Sequence, residues 1–187
     1  MAGTISAGNR DGKIAILLAK QDIRDALMRY CAGVDRGDLQ LILSAFHEDA
    51  RDDHTGTEES AVERFKRTVV EGEEIGIWES HNIGNILIEV DGTKASVQSY
   101  FTAWHRFDID AVPYDWVIAG RYLDRFECRK DDWRISHRTV VYDCERFDKV
   151  PPKPVGHPTA TLFDHCMRGS RTRGDYFYQI FPTYQPR

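Results

Sequence analysis

The hydrophobic period of this 187-residue chain changes once, at Gly76. Before that point apolar residues recur every three or four positions, and after it come long segments of strand character. A chain that makes helices first and a run of long strands afterwards is constrained to an α+β domain, its helices packed on one face of a curved sheet. The spacing of Ile23, Leu27, Tyr30 and Val34 predicts a helix over 12–38, with Gly33 and Gly37 as stop signals. A short helix is expected over 39–45, a loop and short strand over 46–54, and a third helix over 58–73, where Ala61, Phe65 and Val69 repeat every fourth residue. Strands are expected at 80–90, 94–107, 116–128 and 133–142. The Asp-Gly of VDGTK (90–94) and the polar RKDDW (129–133) predict antiparallel hairpins, whereas 108–115, with Pro113, reads as a longer loop.

Composition matters here for what it excludes. No run of about 18 apolar residues is present, so no membrane partner is expected. The first residues lack the basic and apolar regions of a signal peptide, which predicts a cytoplasmic setting. Cys31, Cys128, Cys144 and Cys166 form no CxxC pair and read as free thiols. A formal charge of −5 with no basic stripe argues against nucleic acid. Residues 1–11 are small and polar and are expected to be disordered, 12–147 form the domain, and 148–187 form an arm that holds six of the seven prolines. A short helix is expected in that arm near 159–167. Serine-hydrolase, dinucleotide, P-loop and HExxH motifs are all absent, so no cofactor or metal is called for by any local pattern.

Chemistry must then come from scattered side chains. On a helical wheel Asp35 falls about 120° from Ile23, inside the apolar arc that runs from Val34 to Met28. Two readings stand: an inward carboxylate that needs a partner, or a helix that stops near Gly33 so that Asp35 caps the next turn. His81 opens a strand, where it either meets Asp35 as a general base or simply sits on the surface. Strand alternation puts Arg134, Ser136, Arg138, Val140 and Tyr142 on one face and Trp133, Ile135, His137, Thr139 and Val141 on the other. Arg138 holds an anionic or oxyanionic group if its face lines a cavity, and is a surface cation otherwise. His47 and His54 flank Glu48, Asp49, Asp52 and Asp53 in no standard ligand spacing, so the stretch reads as a solvated acidic loop. His105 and His137 lie within strands.

Four segments, DIRDALMRYCAGVDRGD (22–38), FHEDARDDH (46–54), ESHNIGNILIEVDGTKASVQSYFTAWHR (79–106) and GRYLDRFECRKDDWRISHRTVVYD (120–143), together resemble the SnoaL-like branch of the nuclear-transport-factor-2-like superfamily. The resemblance spans about residues 20–147 and implies a cone, a curved and mostly antiparallel sheet wrapped round a deep pocket and closed by N-terminal helices. The branch includes cofactor-independent lyases such as scytalone dehydratase, bile acid 7α-dehydratase and hexachlorocyclohexane dehydrochlorinase. The last two carry an Asp–His dyad, which the resemblance places at Asp35 and His81, with Tyr30 as the pocket tyrosine and Arg138 as the strand arginine. Tyr30 and Asp35 are five residues apart, so they share one cavity only if the helix end crosses its mouth. The implied activity is a lyase that eliminates water or a small carbonyl fragment such as formaldehyde from a hydroxylated aromatic or polycyclic substrate. Trp78, Asn85, Tyr100, Phe101, Trp104 and His105 are the expected substrate-binding residues. The same fold also hosts isomerases, polyketide cyclases, small-molecule binders and dioxygenase accessory subunits, and a dimer or trimer is expected.

Overall fold

The computed structural model describes residues 10–152, 155–156, 161, 164 and 166–181. Helix α1 spans Arg10–Arg36, so Arg10 and Asp11 are helical rather than part of a loose terminus; residues 1–9 lie outside the described residues. Its buried face carries Ala19, Ile23, Ala26, Leu27, Tyr30, Cys31, Gly33 and Val34. The helix continues past Gly33, which removes the reading of Asp35 as a cap. It ends when Gly37, at φ +61°, donates to the Val34 carbonyl and Asp38 donates to that of Gly33, the Schellman pattern. Asp38 at once caps α2 (Leu39–Leu43) by accepting from the Leu41 N–H. Gly33 is obligatory for this corner, because a Cβ there would lie 2.6 Å from the Ile42 nitrogen.

Strand β1 (Phe46–Asp53) replaces the expected loop and short strand, and β2 (Glu59–Ser60) leads into α3 (Ala61–Glu74), whose N-terminus is capped by Ser60. Four long strands follow: β3 (Trp78–Asp91), β4 (Lys94–Ile109), β5 (Val112–Arg129) and β6 (Asp132–Lys149). The order across the single sheet is β2-β1-β6-β5-β4-β3, with β1 parallel to β6 and every other pair antiparallel. The sheet is α+β in its layering and cone-like, but it is not closed, since β2 and β3 are edges. Helix α1 lies against β3 and β6, and α3 against β1. Ile23, Leu27, Phe46, Phe65, Phe126 and Ile135 form the centre of the core between helices and sheet.

Two expectations about strands are corrected. The 108–115 stretch is a tight hairpin: Asp110 and Ala111, at φ 49° and 61°, form the turn, and Pro113 pairs opposite Asp108 inside β5. An Asp-Ala pair in left-handed backbone carries no sequence signature as plain as Asp-Gly, which explains the misreading. The second correction is a bulge. Phe126 pairs with Ile135 while Arg125 pairs with His137, so Ser136 is an extra residue in β6. The bulge resets the alternation, and Trp133, Ile135 and Arg138 are all buried.

The expected helix near 159–167 falls largely outside the described residues. The arm does contain α4 (Phe177–Ile180), and residues 170–178 fold back on the end of α1. Arg171 donates to the Val34 carbonyl at 3.0 Å, Asp175 pairs with Arg36 at 3.4 Å, and the Tyr178 hydroxyl donates to Asp38 at 2.7 Å. Among the described residues no helix is long and apolar enough to cross a membrane.

Candidate active site

A cavity of about 340 Å³ opens between α1, α3 and the concave face of the sheet. Strand alternation decides what reaches it. Phe101, Ala103 and His105 of β4 line it, while Tyr100 and Trp104, one residue out of phase, stay 44% and 42% exposed on the other face. Trp78 packs edge-on against Trp104 at 6.3 Å on that outer face, and Asn85 is exposed on the edge strand. The expected substrate-binding set is therefore corrected. Phe101 and His105 lie at the cavity; Trp78, Asn85, Tyr100 and Trp104 do not. Trp116, Tyr122 and Tyr142 supply further aromatic wall.

At one end of the cavity, the Asp35 carboxylate leaves the last turn of α1 and accepts two hydrogen bonds from His81, from the backbone N–H at 2.9 Å and from Nδ1 at 2.8 Å. A carboxylate that accepts from Nδ1–H fixes the tautomer and leaves Nε2 with its lone pair. His81 lines the cavity. Glu79, two residues back on the same face, is buried and accepts from Arg171 of the arm at 2.5 Å. Burial lifts the Glu79 pKa, and the Arg171 charge pulls against it. His105 donates from Nδ1 to the Trp116 carbonyl at 3.3 Å, and burial, reinforced by the neighbouring His81, lowers its pKa to about 4. It is a neutral imidazole at physiological pH. Glu79, His81 and His105 bring one donor atom each within 4.8 Å of one another, a set of the kind that holds divalent ions. Arg171 pairs with one oxygen of Glu79, and the other stands 3.8 Å from His105 Nε2.

Tyr30 lies between the two ends of the cavity. Its ring is edge-on to His81 at 6.4 Å between centroids, and its hydroxyl is 3.5 Å from His54 Nε2. Burial raises its pKa, so the phenol keeps its proton. Arg138 does not touch the cavity. It is fully buried in a two-point pair with Asp124 at 2.7 and 2.8 Å, with its guanidinium 4.3 Å from the Tyr30 ring centre and 4.0 Å from that of Tyr122. Burial opposes its charge, and the Asp124 carboxylate outweighs that effect. The direct oxyanion contact expected of Arg138 is corrected to support: the side chain holds the tyrosines from beneath, because the Ser136 bulge turns it into the core.

The acidic stretch of β1 is the other correction. Asp52 is fully buried, His54 lines the cavity, and the two side chains are hydrogen-bonded through Asp52 Oδ1 and His54 Nδ1. Arg64 Nε stands 3.1 Å from the same oxygen. The available signal was alternation: Ala50, Asp52 and His54 share one face, with Arg51 and Asp53 on the other. His47, by contrast, is bonded to the Glu127 carbonyl at 2.9 Å, and His137 to Glu58 at 2.9 Å, both away from the cavity.

Comparison with known proteins follows the geometry. No curated protein sequence matches the chain. Among solved structures, a protein assigned as a scytalone dehydratase from Novosphingobium aromaticivorans DSM 12444 is similar at 22% identity and a TM-score of 0.64, over 78% of this chain and 98% of that one. A type 2 hexachlorocyclohexane dehydrochlorinase matches at 16% identity and 0.60, over 78% and 98%. A protein assigned as the β subunit of an aromatic-ring-hydroxylating dioxygenase, also from Novosphingobium aromaticivorans DSM 12444, matches at 21% and 0.57, over 71% and 94%. At these identities the likeness is one of fold, shared by proteins of different activity. The family of the SnoaL-like domain matches residues 15–139, two-thirds of the sequence, and the chain belongs to it.

Proposed function

We propose that the protein is a cofactor-independent lyase acting on a hydroxylated aromatic or polycyclic small molecule. His81 Nε2 is the general base, and Asp35 holds the imidazole and stabilises the imidazolium that forms. When the proton comes from carbon, the electron pair left behind expels a neighbouring hydroxyl, which takes up the proton from the His81 imidazolium and leaves as water. When it comes from a hydroxyl, that oxygen becomes the carbonyl of a departing fragment such as formaldehyde, the electron pair of the broken carbon–carbon bond is delocalised into the conjugated system, and the His81 imidazolium returns the proton to the carbon left behind. Tyr30, held neutral by burial, donates to the oxygen on which charge develops.

The observation that supports this reading is the 2.8 Å Asp35–His81 bond at an aromatic-walled cavity. The pair joins residues 46 positions apart and turns the other imidazole nitrogen, with its lone pair, towards the cavity, as a general base requires. The test is a panel of hydroxylated aromatic and steroid-like compounds, with products identified by mass spectrometry. Wild type is expected to give a product lighter by water or by formaldehyde, and His81→Ala to give none. Turnover by His81→Ala at near wild-type rate overturns the assignment, and a product of unchanged mass makes the protein an isomerase or cyclase instead.

A further inference from the structure

The second carboxylate–imidazole pair is not used by the reaction just described. We propose that Asp52 and His54 form a hydroxyl-reading subsite of the same cavity, taking a phenolic O–H of the bound ligand. The proposal deepens the reading of the cavity as a substrate site, from which it takes only the aromatic nature of the ligand.

Asp52 is fully buried and shares its Oδ1 between His54 Nδ1 and the Arg64 guanidinium. A carboxylate paired with arginine is ionised and only accepts, so the imidazole proton sits on Nδ1. His54 Nε2 is then a bare acceptor on the cavity wall. Among the described residues its hydrogen-bond neighbour is the Tyr30 hydroxyl at 3.5 Å, too long for a strong bond. A buried acceptor left half-satisfied favours a ligand that brings a donor. Burial lowers the His54 pKa, so the ring stays neutral and offers a lone pair, not a proton.

The surroundings specify what carries that donor. Phe65 stands perpendicular to the His54 ring at 6.1 Å, Tyr122 lies at 6.3 Å, and Phe101 stacks on Tyr122 at 4.3 Å. These rings suit a flat aromatic group edge-on to the imidazole. A phenol is a stronger donor than an alkyl alcohol, and an aryl ether offers no donor. A carboxylate ligand would face the charge of Asp52 and lacks the proton that Nε2 needs.

The test uses two probes that carry no leaving group, para-cresol and its methyl ether, titrated by calorimetry. Wild type is expected to bind the cresol about tenfold more tightly than the ether, the worth of one buried hydrogen bond. His54→Leu is expected to bind both alike. Should His54→Leu fail to fold, the wild-type imidazole nitrogen signals decide: the His54 Nε2 resonance moves with cresol and not with the ether. Equal binding of both probes by wild type, or a preference that survives in folded His54→Leu, overturns the proposal. Because neither probe can be eliminated, the outcome is independent of whether His81 is a lyase base.

Discussion

The two ends of the cavity carry the same pair of side-chain types under different constraints. At the Asp35–His81 end the partners come from different elements, 46 residues apart, and the Asp35 side chain is 21% exposed. At the Asp52–His54 end they are two residues apart in sequence, at the end of β1 and just past it, and Asp52 is sealed with Arg64 against it. A pair in contact with water can return its proton to solvent after each turnover, which a base needs. A buried carboxylate clamped by a cation holds its imidazole in one tautomer, which suits recognition. The difference separates chemistry from selection, and substitutions at the matching carboxylates should expose it. Asp35→Asn is expected to lower turnover by about 10²–10⁴-fold with little change in Tm, the usual worth of positioned general-base catalysis. Asp52→Asn is expected to lower Tm, because the half-buried Arg64 loses one of its two carboxylate partners, with a smaller effect on turnover. Equal kinetic losses from both variants would collapse the distinction.

Arg138 tests whether the two ends share a foundation. Its pair with Asp124 lies under Tyr30 and Tyr122, which contact both ends. Arg138→Met leaves the Asp124 carboxylate buried and unpaired, and is expected to cost about 3–5 kcal/mol in urea unfolding. The double variant with Asp124→Leu should recover most of that loss, since replacing both charges removes the uncompensated one. Failure of the double variant to recover would mean that the guanidinium supports the tyrosines through more than its ion pair.

What could be read beforehand follows the same division. The change of period at Gly76 fixed the layering, and the inward angle of Asp35 pointed to its partner, because both are properties of regular helices and strands. Arg138 was read on the wrong terms because its orientation depends on one inserted residue, Ser136, and alternation says nothing about bulges. The Asp52–His54 pair was missed because acidic residues suggest a loop, although Ala50, Asp52 and His54 already alternate. Tyr100 and Trp104 were counted with Phe101 and His105, although neighbours on a strand cannot share a face. Glu79 and Arg171 join only through tertiary packing of the arm, which no local pattern encodes.

A pH titration sharpens the comparison at the Asp35–His81 end, where His105 packs against His81. His105 has a folded-state pKa of about 4 against an ordinary 6.5, from burial first and the adjacent His81 second. Between those values the unfolded chain takes a proton that the native state refuses, so stability present above about pH 6.5 is lost as pH falls towards 4. His54 adds a loss of the same sign. Glu79, His81 and Arg171 face His105 and are unchanged in His105→Gln, so the difference between the curves isolates this group. His105→Gln is expected to flatten the decline of Tm across that interval. A parallel decline in both proteins would place the pH sensitivity elsewhere.

The smallest effect should be confined to the Asp52–His54 end. Ser60 caps α3 through a 3.5 Å bond from the Glu63 N–H, and α3 carries both Arg64 and Phe65 to His54. Ser60→Ala is expected to cost about 0.5–1 kcal/mol, the low end for a lost N-cap, given the length of that bond. The first turn of α3 frays more often, so Arg64 leaves Asp52 more often, and the His54 imidazole signals should broaden. His81 is tied to α1 and β3 instead, and its signals should not change. If both histidines broaden together, α3 couples the ends, and the cavity is one cooperative unit.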